Sequence, residues 1–170
     1  ELYRDAVRPF VFRRYLDFGV FESLREMKAL IEKQVTRRDM ADHVKLGPGG
    51  IREVEFIAQA FQLIRGGQDR RLQNPRILEV LPLLAGRRLL SERAVEELDA
   101  AYRYLRTLEN RLQMIRDEQT HHLPTDEPTR ERLARAMHEP TWAALRASLE
   151  RSLESLRGAI HADRVLREVV

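Results

Sequence analysis

Apolar residues recur at intervals of three, four and seven along nearly the whole chain. The longest such stripe follows Ser91 and consists of Val95, Leu98, Tyr102, Leu105, Leu112 and Ile115. This spacing places apolar side chains on one face of an α-helix, whereas a half-buried strand requires alternation with a period of two. The sequence contains no alternating run of β-branched or aromatic residues. The chain is therefore predicted to be all-α, as a bundle of five to seven helices.

Capping and breaking residues set the expected limits of these helices. Asp17 and Ser91 are expected to be N-caps, Gly66-Gly67 a C-terminal stop, and Pro9 and Pro82 sites of a kink, bend or helix end. A polar stretch with two prolines over 120–128 is expected to be a loop. The predicted helices cover residues 2–15, 20–38, 51–65, 74–84, 91–119, a short stretch ending at 137 and a last stretch from 141.

The length of the chain predicts one domain over residues 1–170. A chain of this size buries about 70% of its unfolded surface, so it needs no disulfide or metal to hold a core. It contains no cysteine, no secretory signal and no apolar run near the 18 residues of a membrane span. We expect a cytoplasmic protein with no membrane partner. Because the sequence begins at Glu1 inside a helical pattern, it is expected to be a fragment of a larger multidomain enzyme.

The basic residues are almost all arginine, 27 of the 30, at a formal net charge of +3. Arginine suits phosphate recognition, but a nucleic-acid surface concentrates basic residues on one face beside aromatic side chains. Here basic and acidic residues alternate on nearly every predicted helix, and only 6% of residues are aromatic. A nucleic-acid-binding module is therefore the weaker alternative, and we expect no nucleic-acid partner.

Three glycines within four residues lead directly into a predicted helix at Ile51. A helix start carries unpaired N–H groups and partial positive charge, and Lys45 and Arg52 add two full charges. One interpretation is a loop that binds phosphate. The other is a tight turn between two helices. It is not a Walker P-loop, because the lysine precedes the glycines and no strand comes before it.

The carboxylates and histidines do not form an obvious catalytic or metal site. Glu53 and Glu55 project about 200° apart around a helix, so they cannot act as a pair, and one of them is expected to face solvent. The acidic pair at 117–118 and the histidine pair at 121–122 straddle a predicted helix end and are expected to be solvated. No serine has a nearby histidine in the sequence. We therefore assign no catalytic and no metal-binding residue.

Several segments together resemble one enzyme family. They are KLGPGGIREVEFIAQAFQLIRGGQDRRLQNPRIL at 45–78, YRYLRTLENRLQMIRDEQTHHLP at 102–124, RPFVFRRYLDFGVFESLREMK at 8–28 and TDEPTRERLARAM at 125–137. They closely resemble the bifunctional glutamine synthetase adenylyltransferase/adenylyl-removing enzyme of bacteria. That family contains two nucleotidyltransferase units, each an α/β catalytic domain followed by a helical domain. The GIREVEF string at 50–56 looks like the first unit, whose activity is phosphorolysis of adenylyl-tyrosine on glutamine synthetase with release of ADP.

The resemblance implies that the catalytic domain lies upstream and is absent from this chain. The family's Gly-Ser and Asp-x-Asp signature is missing, so the fragment alone is expected to be inactive. Mg²⁺ and ATP, ADP or phosphate are expected only in the complete enzyme, with none bound to this fragment. The implied partners are glutamine synthetase, PII-type signal proteins and the upstream catalytic domain. The alternative is a bundle that docks partners and has no active-site role.

The resemblance also carries over onto individual residues. Related sequences often have Asp-x-Lys before the glycines, whereas here His43 stands two places before Lys45, and Asp42 is one further out. The expected phosphate- or nucleotide-facing loop consists of Lys45, Gly47, Gly49, Gly50, Arg52 and Glu55. Arg106, Glu109 and Gln113 match the family pattern in the second segment.

Overall fold

The computed structural model describes residues 2–13, 19, 22–23, 26–30, 33, 42–117 and 119–163. Within these residues the chain forms six α-helices with described bounds and one short 3-10 helix, and no strand. Residues 22–23, 26–30 and 33, inside the helix expected over 20–38, are also helical. The prediction of an all-α bundle is confirmed. The expected cap Asp17 and most of the helix expected over 20–38 lie outside the described residues. The helices are α1 (Leu2–Val11), α2 (Ile51–Arg65), α3 (Ile77–Gly86), α4 (Glu92–Arg116), α5 (Glu127–Ala136) and α6 (Trp142–Ala162), with the 3-10 helix at Arg70–Leu72.

Side-chain caps begin the three C-terminal helices. The hydroxyl of Ser91 accepts a hydrogen bond from the Ala94 amide at 3.2 Å, and Thr141 caps α6 in the same way. Asp126 caps α5 with its carboxylate. The expected starts at Ser91 and Thr141 are confirmed. The first long helix, α4, ends at Arg116 and not at 119, because Asp117 adopts a left-handed conformation with φ of 53°.

Neither proline ends its helix, so that part of the prediction is wrong. The first helix continues through Pro9 and ends at Val11, four residues before the expected end. In the same way α3 begins at Ile77 and continues past Pro82 to Gly86. Three side chains of α3 are fully buried, and this packing offsets the one hydrogen bond that a proline removes.

Gly66 ends α2 as expected but for a different reason. Its backbone is right-handed, with φ of −63° and ψ of −25°, so no left-handed cap is present. A Cβ atom here would lie 2.6 Å from Cδ1 of Phe12 and would also clash with the carbonyl oxygen of Gln62. Glycine is required because Phe12, just after α1, packs directly against this backbone.

The core consists of two apolar clusters along α4 and α6. The first half of α4 packs with α2, α3 and the end of α6, where Leu156 and Ile160 lie. The second half packs with α5, Leu123 and the start of α6. The two long helices are therefore antiparallel, and the Ser91 amide before α4 donates a 3.0 Å hydrogen bond to Asp163 after α6. In the part of the chain described here, no helix is both long and apolar enough to cross a membrane.

Two loops pair beside the second cluster. The amide of Val44 donates to the His121 carbonyl, and the amide of Leu123 donates to the Asp42 carbonyl, each at 2.9 Å. His43 and His122 form an antiparallel bridge between these bonds. The expected loop over 120–128 is thus fixed at its start against the segment that leads into the glycine-rich turn.

Candidate functional site

The glycine-rich turn uses its own carbonyl groups to complete the first turn of α2. The amides of Ile51, Arg52 and Glu53 donate to the carbonyls of Val44, Lys45 and Gly50, at 3.3, 3.1 and 3.0 Å. The Glu53 side chain in turn accepts a 2.9 Å hydrogen bond from the Gly49 amide. The argument from free helix-start amides is therefore wrong, because these donors already have partners. An anion at this turn would have to be bound by side chains.

Two glycines of the turn have steric reasons to be glycine. A Cβ atom on Gly50 would lie 2.7–2.8 Å from the carbonyl oxygens of residues 44, 45 and 47. Gly49 has a φ of 75° and packs against Leu153 of α6. Gly47 accepts the Gly50 amide at 2.9 Å. The backbone of this segment is a tight turn, and its compactness brings Lys45 next to the first turn of α2.

The carboxylate of Glu109 connects three separate segments of the chain. Its Oε2 lies 2.6 Å from Nη1 of Arg106, and its Oε1 lies 3.9 Å from Nζ of Lys45. Nδ1 of His121 is 2.9 Å from the same Oε1, an ion-pair distance at an angle outside hydrogen-bond geometry. Only 4% of the Glu109 side chain is exposed, against 36% for Lys45 and 42% for Arg106. A buried carboxylate is stable only when it is well paired, and here the partners lie on the solvent side.

A polar stripe along α4 extends this cluster in both directions. Tyr102 hydroxyl lies 3.4 Å from Oε1 of Glu55, and its ring lies below the Arg106 guanidinium at 6.0 Å. Burial, and then the nearby Glu55 carboxylate, raise the pKa of Tyr102 above its usual value. At the other end Nε2 of Gln113 is 3.5 Å from the Thr120 carbonyl. The stripe therefore faces the turn on one side and the 119–123 segment on the other.

Three histidine rings meet where the two loops pair. The buried His43 ring stacks on His121 at 5.4 Å and meets His122 edge-on at 4.6 Å. Nδ1 of His43 accepts a 3.0 Å hydrogen bond from the Leu46 amide, so the ring is neutral at that nitrogen. Burial, and then the charges of His122 and His121, lower the pKa of His43. Among the described residues no group of histidines and carboxylates could hold a metal ion.

The remaining predicted residues lie around this cluster. Arg52 is exposed, and no partner for its side chain is found among the described residues. Glu53 and Glu55 do project in different directions, but both are half-buried, so the expectation that one faces solvent is wrong. Glu53 is held by Lys28 and the turn, and Glu55 by Tyr102. Asp42 pairs with Arg146 of α6 at 2.6 Å.

The sequence arguments did not identify the histidine cluster or the central position of Glu109. His121 was expected to be solvated, yet it is half-buried beside Glu109. One signal for Glu109 was present, because Leu105, Leu108 and Leu112 are buried and a residue at 109 shares their face of the helix. The pairing of His43 with His122 joins residues 79 positions apart and has no local signal.

The fold and the site define an all-α domain with an ion-paired basic surface and, within its described residues, no ligand set for a metal ion. Residues 25–162 match the sequence profile of the family described as GlnD PII-uridylyltransferase. The chain belongs to this family. It is a helical domain of a nucleotidyltransferase family that regulates nitrogen metabolism.

Proposed function

We propose that the chain is the helical accessory domain of the adenylyl-removing half of glutamine synthetase adenylyltransferase/adenylyl-removing enzyme. In that role it completes the unit that phosphorolyses adenylyl-tyrosine on glutamine synthetase and releases ADP. The family match supports a nucleotidyltransferase context and carries the description PII-uridylyltransferase. The choice of adenylyl chemistry rests on the GIREVEF string at 50–56, which resembles the first unit of the adenylyl-removing enzyme.

One observation carries this proposal. The two segments with the strongest resemblance, 45–78 and 102–124, meet at the Glu109 carboxylate, which pairs with both Lys45 and Arg106. Two distant segments that share one surface indicate a common role for that surface. We propose that it faces the upstream catalytic domain and that Lys45 and Arg52 contact a phosphate group there. Gly47, Gly49 and Gly50 shape the turn that presents them, and Glu55 borders the surface through Tyr102.

Mg²⁺ and the nucleotide belong, in this proposal, to the upstream catalytic domain. Glu109 is already paired with basic groups, and the described residues offer no set of ligands that fits Mg²⁺. The chain's own residues would position a phosphate. The proposed partners are that catalytic domain, glutamine synthetase and PII-type signal proteins, in the cytoplasm.

A docking role without active-site contact is the second candidate. It is favoured by the turn's amides, which are satisfied internally, and by the ion pairing of Lys45.

A substitution of Arg52 separates the two candidates, because this residue is exposed and its loss removes no described contact. The alanine variant of Arg52 should lower phosphorolysis at least tenfold at an unchanged melting temperature, if Arg52 contacts phosphate. Arg93→Ala, an exposed arginine paired with Glu97 on α4, is the matched control.

The assay uses the complete protein that contains this chain. It measures phosphate-dependent release of ADP from adenylylated glutamine synthetase and, in parallel, removal of UMP from uridylylated PII protein. ADP release supports the proposed function, and removal of UMP alone contradicts it in favour of uridylyl chemistry. Full turnover in Arg52→Ala supports the docking role.

A further inference from the structure

We propose that Arg106 is a second phosphate-binding residue, which acts together with Lys45 on the phosphate that the phosphorolysis consumes. This inference rests on the proposed function and adds to it a residue from a different helix. It follows from the way Glu109 orients Arg106 and from the distribution of charge over the surface.

The Arg106 guanidinium is held on two sides and open on the third. Nη1 contacts the buried Glu109 carboxylate at 2.6 Å, and the planar group lies 6.0 Å from the centre of the Tyr102 ring. A guanidinium has five N–H donors, and the contact with Glu109 leaves most of them for other partners. Since 42% of the side chain is exposed, a ligand in solvent can reach this residue. A planar, fixed set of donors is the arrangement that binds phosphate oxygens in pairs.

The charges around Arg106 are arranged with the cations outside. Lys45, Arg52 and Arg106 carry three fixed positive charges, against the carboxylates of Glu55 and Glu109. Arg52 is exposed, and 36% of the Lys45 side chain and 42% of the Arg106 side chain are exposed. Glu109 is buried beneath Lys45 and Arg106, and Glu55 is half-buried and bonded to Tyr102. Positive groups therefore outnumber carboxylates on the side that an anion approaches.

Lys45 and Arg106 are also close enough to share one ligand. They contact the two different oxygens of a single carboxylate, at 3.9 and 2.6 Å. The Arg52 amide donates to the Lys45 carbonyl, which keeps that backbone beside the pair. Inorganic phosphate is the ligand class that matches: a compact, tetrahedral dianion with oxygens for both a lysine and a guanidinium.

The test varies inorganic phosphate in steady-state phosphorolysis of adenylylated glutamine synthetase by the complete protein. Arg106→Gln should raise KM for phosphate at least tenfold and lower kcat by a smaller factor, because the lost contact is to phosphate. Arg103→Gln is the matched control, since Arg103 lies one turn away on α4 and pairs only with Asp99 in the described structure. It should leave both constants unchanged. A KM for Arg106→Gln within twofold of wild type overturns the proposal.

A second variant distinguishes loss of phosphate binding from loss of folding. Arg106→Lys keeps the charge and the contact with Glu109 but loses the planar donors, so a KM raised severalfold at a wild-type melting temperature is expected. An unchanged KM in this variant also overturns the proposal.

Failure of the proposed function gives a different result, in which even the wild-type protein releases no ADP. In that case, binding of inorganic phosphate is measured directly, from the broadening of its ³¹P resonance when protein is added. Broadening by wild type and Arg103→Gln, with a loss in Arg106→Gln, supports the site. Equal broadening by all three, or none by wild type, overturns it.

Discussion

At the scale of single residues, the main device of this surface is a carboxylate that is buried beneath its partners. Glu109 lies on the apolar side of α4, between the core and the basic groups of Lys45 and Arg106, with Nδ1 of His121 beside it. Transfer of a charged carboxylate from water into the protein interior is costly, so Glu109 is stable at this position only while its ion pairs are formed. The contact between the turn, α4 and the 119–123 segment therefore depends on this one side chain.

Glu109→Gln should destabilise the fold by about 1–3 kcal/mol, because the substitution keeps the shape but removes the charge that pairs with Arg106 and Lys45. Chemical denaturation measures the change in free energy of unfolding. Glu97→Gln is the control, since Glu97 forms a pair with the exposed Arg93 on the same helix, and it should change stability by less than about 1 kcal/mol. Equal changes in the free energy of unfolding would show that the Glu109 cluster stabilises the fold no more than an exposed ion pair does.

His43 gives the fold a pH dependence of defined sign. Burial, and then His122 and His121, lower its pKa, and its Nδ1 must stay unprotonated to accept the Leu46 amide. The neutral ring's contribution to stability is complete above the unfolded pKa, near 6.5, and is lost as pH falls through the lower folded value. The free energy of unfolding should therefore decrease from pH 7 towards pH 5. His43→Asn keeps an acceptor near the same place, and its profile over this range should be flatter; two parallel profiles would contradict the prediction.

At the scale of helices and turns, the sequence predicted the regular elements well and the exceptions badly. The caps Ser91 and Thr141 act locally, through side-chain bonds to their own helices, so a local pattern was sufficient. Pro82 does not end α3, because burial of Val80, Leu81 and Leu84 favours continuation of the helix. Asp117 ends α4 in a left-handed conformation, which the sequence does not predict because no glycine stands at this position. The role of Gly66 depends on Phe12, which is 54 residues away and invisible to a local pattern.

Two alanine substitutions should separate the required glycine from a replaceable one. Gly50→Ala places a Cβ under 3 Å from three backbone carbonyl oxygens, which cannot rotate away, and should cost about 1–3 kcal/mol. Gly158 lies inside α6 with nothing within 4 Å of a Cβ, so Gly158→Ala should stabilise the fold by about 0.5–1 kcal/mol. Thermal unfolding of both variants is the measurement. A Gly50→Ala protein as stable as wild type would mean that the turn can open without cost.

At the scale of the whole molecule, the candidate site is made by tertiary structure. The sequence predicted Lys45 and Arg52 as one group and matched Arg106 and Glu109 as another, and the antiparallel packing of α4 and α6 with the paired loops brings the two groups together. The free-amide argument failed at this same scale. The amides at the start of α2 donate to carbonyls of the preceding turn. The number of glycines in a sequence does not show that a turn will fold back onto the start of the next helix.

The isolated chain should fold but should not catalyse. Its two apolar clusters are complete around α4 and α6, and the described helices need no partner to cover their buried faces, so a cooperative, helical protein is expected by circular dichroism. The Gly-Ser and Asp-x-Asp signature that the family resemblance implies for catalysis is missing from this sequence, so this chain does not supply the carboxylates expected to hold Mg²⁺. Adenylylated glutamine synthetase mixed with the purified chain and phosphate should release no ADP above the rate without protein. Mixing in the separately expressed catalytic domain provides the control that the substrate is competent. Release of ADP by the chain alone, in proportion to its concentration and abolished by Lys45→Ala, would contradict this prediction and would place the chemistry on the surface around Glu109.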